Sequence, residues 1–161
     1  MSPGWYHFWV LLHLLGVGAF LISHGGSMFV LFRIRTLGGD RDRIADLLAF
    51  SGETVRPMYV SLGVLIVAGV VAGLGGTWFH YWWIWAAIGV LVVTTALMTV
   101  TARPYVQRVK AACAVRPSGV PRASDEELAE LLAGPTPAIV SAIGFLGLLV
   151  IFYLMIFKPG F

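Results

Sequence analysis

Four stretches of this chain are apolar almost without interruption. They run from about Trp5 to Phe32, from Pro57 to Leu74, from Trp78 to Thr101 and from Ala138 to Phe157. A helix needs about 20 such residues to cross about 30 Å of hydrocarbon. No Asp, Glu, Lys or Arg interrupts the middle of any stretch. The pattern predicts an all-α protein: a transmembrane four-helix up-down bundle, folded as a single integral membrane domain over residues 1–161. The segment "GLGGTWFH" between the second and third spans is short, which predicts a tight antiparallel hairpin there.

Between the spans the pattern changes to amphipathic. In "GGDRDRIADLLAFSGETV", Ile44, Leu47 and Leu48 share a helical face and Asp40 stands where an N-cap belongs. In "ASDEELAELLAGPTP", Ser124 and Glu127 have the spacing of a capping box, Leu128, Leu131 and Leu132 form the stripe, and Gly134 with Pro135 ends it. Two short amphipathic helices are expected, both lying against one end of the bundle.

Charge then gives a direction. Of the 11 Lys and Arg residues, all but Lys158 fall in the two polar loops, as do all 8 acids. The positive-inside rule puts these loops in the cytoplasm and both termini outside. Trp5, Tyr6, Trp9, Trp78, Tyr81, Trp82, Trp83 and Trp85 collect at the opposite edge, as an interfacial aromatic belt does. The expected location is the cytoplasmic membrane of a prokaryote. "MSPGWYHFWV" lacks a basic n-region, so a cleaved signal peptide is not expected.

Composition agrees. Hydrophobic residues make up 58% of the 161-residue chain and charged residues 12%, with a mean hydropathy of +0.86. Soluble domains carry about 25% charged residues. The basic pI of about 9.4 fits loops beside anionic lipid and gives no reason to expect a nucleic-acid partner. A single cysteine, Cys113, excludes an internal disulfide and a cysteine zinc site. With no intramembrane carboxylate or lysine, a proton or ion pump is disfavoured. No hydrolase or nucleotide-binding motif is present, and "HGGS" inside an apolar helix cannot form an oxyanion loop. Expected partners are the bilayer and either other membrane subunits or further copies of the chain.

Candidate chemistry centres on the first span. His13 and His24 are eleven residues apart, about three turns, roughly 16 Å along one helical face. Gly16, Gly25 and Gly26 leave room beside them. Either ring could hold a b-type haem, or both could be neutral, hydrogen-bonded core residues. The layout resembles that of diheme membrane cytochromes, which also need partner histidines at matching depth. The only histidine outside the first span is His80, whose depth matches His7. Met28 lies one turn beyond His24, and Met58 and Met98 lie in the same half of neighbouring spans. His24 with Met28 could therefore ligate haem iron or copper, for which imidazole and thioether are suited; methionine as core filler is the alternative. "TVRPMY" and "TARPYV" are echoes that place Arg56 and Arg103 at one edge. There they could clamp a phosphate, a lipid head group or a haem propionate, or simply snorkel to the interface. Gly69, Gly73, Ser141, Gly144 and Gly147 supply small-residue stripes for close helix packing, within the chain or between chains.

The run "WVLLHLLGVGAFLISHGGSMFVLFRIR" and the four-span layout resemble a group of small bacterial four-helix membrane proteins. The group includes uncharacterised integral membrane proteins, the copper-resistance D domain and protoporphyrinogen oxidase of the HemJ type. In the HemJ type a first-helix histidine is implicated in haem binding and catalysis; the matching position here is His13. That type also uses a lysine in a later helix, and this chain has none within its spans. The copper-resistance resemblance implies copper passage. Three functions thus stand open: a haem-binding or electron-transfer membrane subunit, a structural or accessory subunit, and a copper or small-solute transporter, with a HemJ-like oxidase as the enzymatic variant.

Overall fold

A computed structural model describes residues 2–160. Five α-helices account for most of them: α1 (Pro3–Arg33), α2 (Arg41–Gly75), α3 (Trp82–Cys113), α4 (Asp125–Ala133) and α5 (Thr136–Phe157). The described residues contain no strand, only an isolated bridge between Val115 and Pro121. Four of the helices are long and apolar enough to cross a membrane. Much of their surface is exposed apolar side chain, including Leu14, Ile22, Phe29, Phe145 and Ile156. Large apolar side chains turned outward along whole helices suit a hydrocarbon solvent.

Local chemistry fixes the helix starts. Pro3 opens α1, where its missing N–H costs nothing. Gly38 and Gly39 both take positive φ, turning the chain so that the Asp40 carboxylate accepts from the Arg43 N–H. The expected capping box at α4 is complete: Ser124 Oγ accepts from the Glu127 N–H, and Glu127 Oε2 accepts from the Ser124 N–H.

Three boundaries depart from the sequence-based expectation. The short helix expected before Pro57 is not separate but is the first part of α2, which continues through Pro57. Proline removes one helical hydrogen bond, to the carbonyl of Glu53. Glu53 is exposed, so solvent can serve that carbonyl in its place. Similarly, α3 passes Pro104 and continues to Cys113. With 35 and 32 residues, α2 and α3 outrun the hydrocarbon by several turns. The other departure is at the third span, where Thr77 in the left-handed region and a 3₁₀ turn over Trp78–His80 delay the helix to Trp82.

The long helices pack as two antiparallel pairs. In the first, Gly69 of α2 faces His13 of α1, Gly16 faces Leu65, and Ser27 faces Thr54. In the second, Gly144 of α5 faces Met98 of α3 and Gly147 faces Thr94. Contact between the pairs is much sparser; α2 and α3, expected as a closely packed hairpin, each touch their own pair partner far more than one another. A seam therefore runs between α1–α2 and α3–α5.

Each end of the bundle has its own core. At the loop end, Val30, Ile34, Ile44, Leu48, Val109, Leu128 and Leu132 are buried together. Each such side chain contributes about 1.5–3 kcal/mol where water is the alternative. Arg41 holds this end shut: its guanidinium donates to the carbonyls of Ala112 and Ala123 and to the Asp125 carboxylate. Arg35 donates to the carbonyls of Leu132 and Ala133 at the end of α4. At the aromatic end, Trp83, Ile84, Ala87 and Leu154 pack together beneath Trp78 and Phe79.

Candidate functional site at the seam

The two first-span histidines meet different helices. His13 turns to α2. Its Nδ1–H donates to the Leu65 carbonyl over 2.7 Å. Because a carbonyl can only accept, this bond places a proton on Nδ1. Glycine makes the fit. A Cβ at Gly69 would stand 2.9 Å from His13 Nδ1, and one at Gly16 would stand 2.9 Å from the Leu65 backbone nitrogen. The ring is a tie between α1 and α2, formed where two glycines let the helices close.

His24 turns to the other pair. A Cβ at Gly144 would lie 3.8 Å from His24 Nε2, 3.1 Å from Met98 Sδ and 2.9 Å from Met98 Cε. An imidazole from α1 and a thioether from α3 thus converge on a glycine of α5, across the seam. Phe20, one turn earlier, stacks on the His24 ring at 5.6 Å with the planes 2° apart, which fixes its orientation. Among the described residues the His24 nitrogens make no hydrogen bond. An imidazole with an open nitrogen beside a soft sulfur, in a half-buried apolar setting, is a donor pair for a soft transition metal.

The remaining expectations divide. Met28, expected beside His24, packs against the loop-end core. Of the three methionines expected in the same half as His24, Met98 is the one that shares Gly144 with it. His13 and His24 share a stripe but not a neighbour: His13 meets Gly69 of α2 and His24 meets Gly144 of α5. Arg56 and Arg103 are both exposed and make no hydrogen bond or ion pair among the described residues. His7 lies against Tyr6 and His80 against Tyr81, each ring on its own chain neighbour. Among the described residues no three His, Cys, Asp or Glu side chains gather around one point. The small-residue stripes serve the chain itself: Gly69 admits His13, Gly73 admits Phe79, Gly144 admits Met98 and Gly147 admits Thr94.

Comparison with protein-family models, curated proteins and solved structures gives no match, so the chemistry of the seam rests on its own residues.

Proposed function

We propose that this chain is a small multi-pass protein of the prokaryotic cytoplasmic membrane, an up-down four-helix bundle with both termini outside, and that it serves as an electron-transfer subunit with a b-type haem held at the seam. The observation that carries this reading is the convergence of His24 Nε2 and Met98 Sδ on Gly144. Histidine with methionine is an established axial pair for haem iron. The two donors come from different helix pairs, between which contact is sparse. Bound there, haem would supply one-electron redox chemistry.

The protein's own part is positional. Phe20 holds the plane of His24. Gly144, lacking a side chain, lets Met98 approach the backbone of α5 beside His24. The apolar spans keep the centre out of bulk water, which raises the influence of each ligand on its potential. His13 acts on the scaffold, locking α1 to α2 one pair away from the seam.

Copper(I) is the second reading. The Met98 methyl already packs closely on Gly144, and an ion needs less room than a macrocycle. One purification separates the two. Protein expressed with haem supplied should show a Soret band that sharpens and shifts on dithionite reduction. His24→Ala should abolish it, and Met98→Leu should change its reduced spectrum. Stoichiometric copper without a Soret band would transfer the site to copper. If neither is retained, the redox reading fails and an accessory or structural subunit stands in its place.

A further inference from the structure

The two ends of the seam are closed in different ways. At the loop end the buried core crosses it: Val30, Leu31, Ile44 and Leu48 come from α1 and α2, Val109 and Leu128 from α3 and α4. Arg41 adds hydrogen bonds from the start of α2 to the Ala112 and Ala123 carbonyls on the far side. At the aromatic end the buried core stays on one side. Among the described residues, Trp83, Ile84, Ala87 and Leu154, like the side chains packed on them, all come from α3, α5 and the segment 78–81.

The first pair is joined to this end through the segment between α2 and α3. Phe79 seats on Gly73 of α2, where a Cβ would stand 2.8 Å from its ring. Trp78 reaches further. Its Nε1–H donates to the Tyr6 hydroxyl of α1 over 3.2 Å. The Lys158 ammonium, just past the end of α5, sits 4.4 Å from the centre of the Trp78 ring. One indole is thus engaged by α1 at its nitrogen and by the chain after α5 at its face. Gly76 makes room for it, since a Cβ there would run into the indole nitrogen.

This joint carries strain. Thr77 and Lys158 have φ of 58° and 43°, and they are the only non-glycine residues with positive φ among those described. Left-handed backbone is unfavourable for L-residues and most of all for a β-branched one. Thr77 directly precedes the indole, and Lys158 supplies the cation above it. At the same end the indole N–H groups of Trp9 on α1 and Trp83 on α3 are buried without a hydrogen-bond partner among the described residues. A buried donor left unpaired favours any rearrangement that returns it to water or to a lipid carbonyl.

Within each pair the helices are fixed to one another. His13 ties α1 to α2, and Gly144 and Gly147 seat α5 against α3. We propose that the two pairs swing as bodies about the loop-end core, and that Trp78 is the clasp that opens and closes the seam at the aromatic end. The motion is a hinge of packed elements. It belongs to the scaffold, whether the seam carries haem, copper or neither. Opened, the seam becomes a wedge with its mouth at the aromatic belt.

The test uses the full chain in lipid nanodiscs, in a Cys113→Ala background, with pairs of spin labels read by pulsed electron paramagnetic resonance. Labels on Leu11→Cys in α1 and Ile156→Cys in α5, both exposed positions, span the aromatic end. Labels on Arg43→Cys in α2 and Glu126→Cys in α4, also exposed, span the loop end. The aromatic-end pair should show a main short distance and a minor long one, and the loop-end pair a single distance. Tyr6→Phe removes only the acceptor oxygen and should raise the long-distance population about fivefold, the weight of one net hydrogen bond. Lys158→Gln removes the cation and should raise it about threefold. Thr77→Gly relieves the left-handed strain without touching the indole and should move the population to the short distance. The loop-end distance should not change in any of the three. An aromatic-end distribution that none of these variants alters would overturn the proposal. So would equal lengthening at both ends, which is loosening of the whole bundle and not a hinge.

Discussion

His13 and His24 are the same residue type on the same helix, three turns apart, and the fold uses them in opposite ways. His13 has its Nδ1 proton committed to a backbone carbonyl 2.7 Å away and packs on a glycine of its own helix pair. His24 has no hydrogen bond among the described residues, a stacked ring that fixes its plane, and a sulfur facing its Nε2 across the seam. A polar ring in an apolar span is costly unless paired. For His13 the pairing is within the fold. For His24 the described residues supply no hydrogen-bond partner. The lesson is that a histidine in a membrane helix is read by what its nitrogens already hold.

The comparison breaks most readily at the tie. Gly16→Val places a side chain against the backbone of Leu65, which cannot move without separating α1 from α2. The expected loss is about 3 kcal/mol or more, read as early unfolding in an SDS titration. His13→Ala removes the hydrogen bond and leaves a cavity. About 2 kcal/mol should go, with haem or copper content unchanged; loss of the cofactor with full stability would reverse the roles assigned to the two rings.

A matched pair of glycine changes sharpens it further. Gly69→Ala meets a ring tethered to a carbonyl, whereas Gly144→Ala meets the flexible end of Met98. The first should cost about 1–2 kcal/mol and the second about half that. Only the second should alter the spectrum or metal content. The smallest stability effect is expected for Met98→Leu, within about 1.5 kcal/mol, together with the loss of the thioether's spectroscopic or copper-binding signature. A Met98→Leu protein with wild-type spectra would remove methionine from the site.

Much of the fold could be read from hydropathy alone, because span length answers to bilayer thickness. Ser124 and Glu127 announced α4, and the glycines at 69, 73, 144 and 147 announced close approach. The pairing of helices could not be read, since apolar faces in lipid carry little azimuthal information. Pro57 looked like a boundary because proline usually is one, yet α2 continues through it beside an exposed Glu53. His24 was legible as a candidate. Its neighbour was not: Met28 is nearer in sequence, but Met98 is the methionine that shares Gly144 of α5 with it.

Arg41 bears on any measurement of which way the chain faces. Its side chain is only 12% exposed and is spent on two carbonyls and a carboxylate. A charge-reversal scan that includes it would change the insertion signal and unfasten the loop-end core in one stroke, so an inverted reporter could mean either. Arg43 and Arg103, exposed and free of such bonds among the described residues, carry the same sign without the second job. They are the positions at which topology can be challenged while the folded protein stays intact.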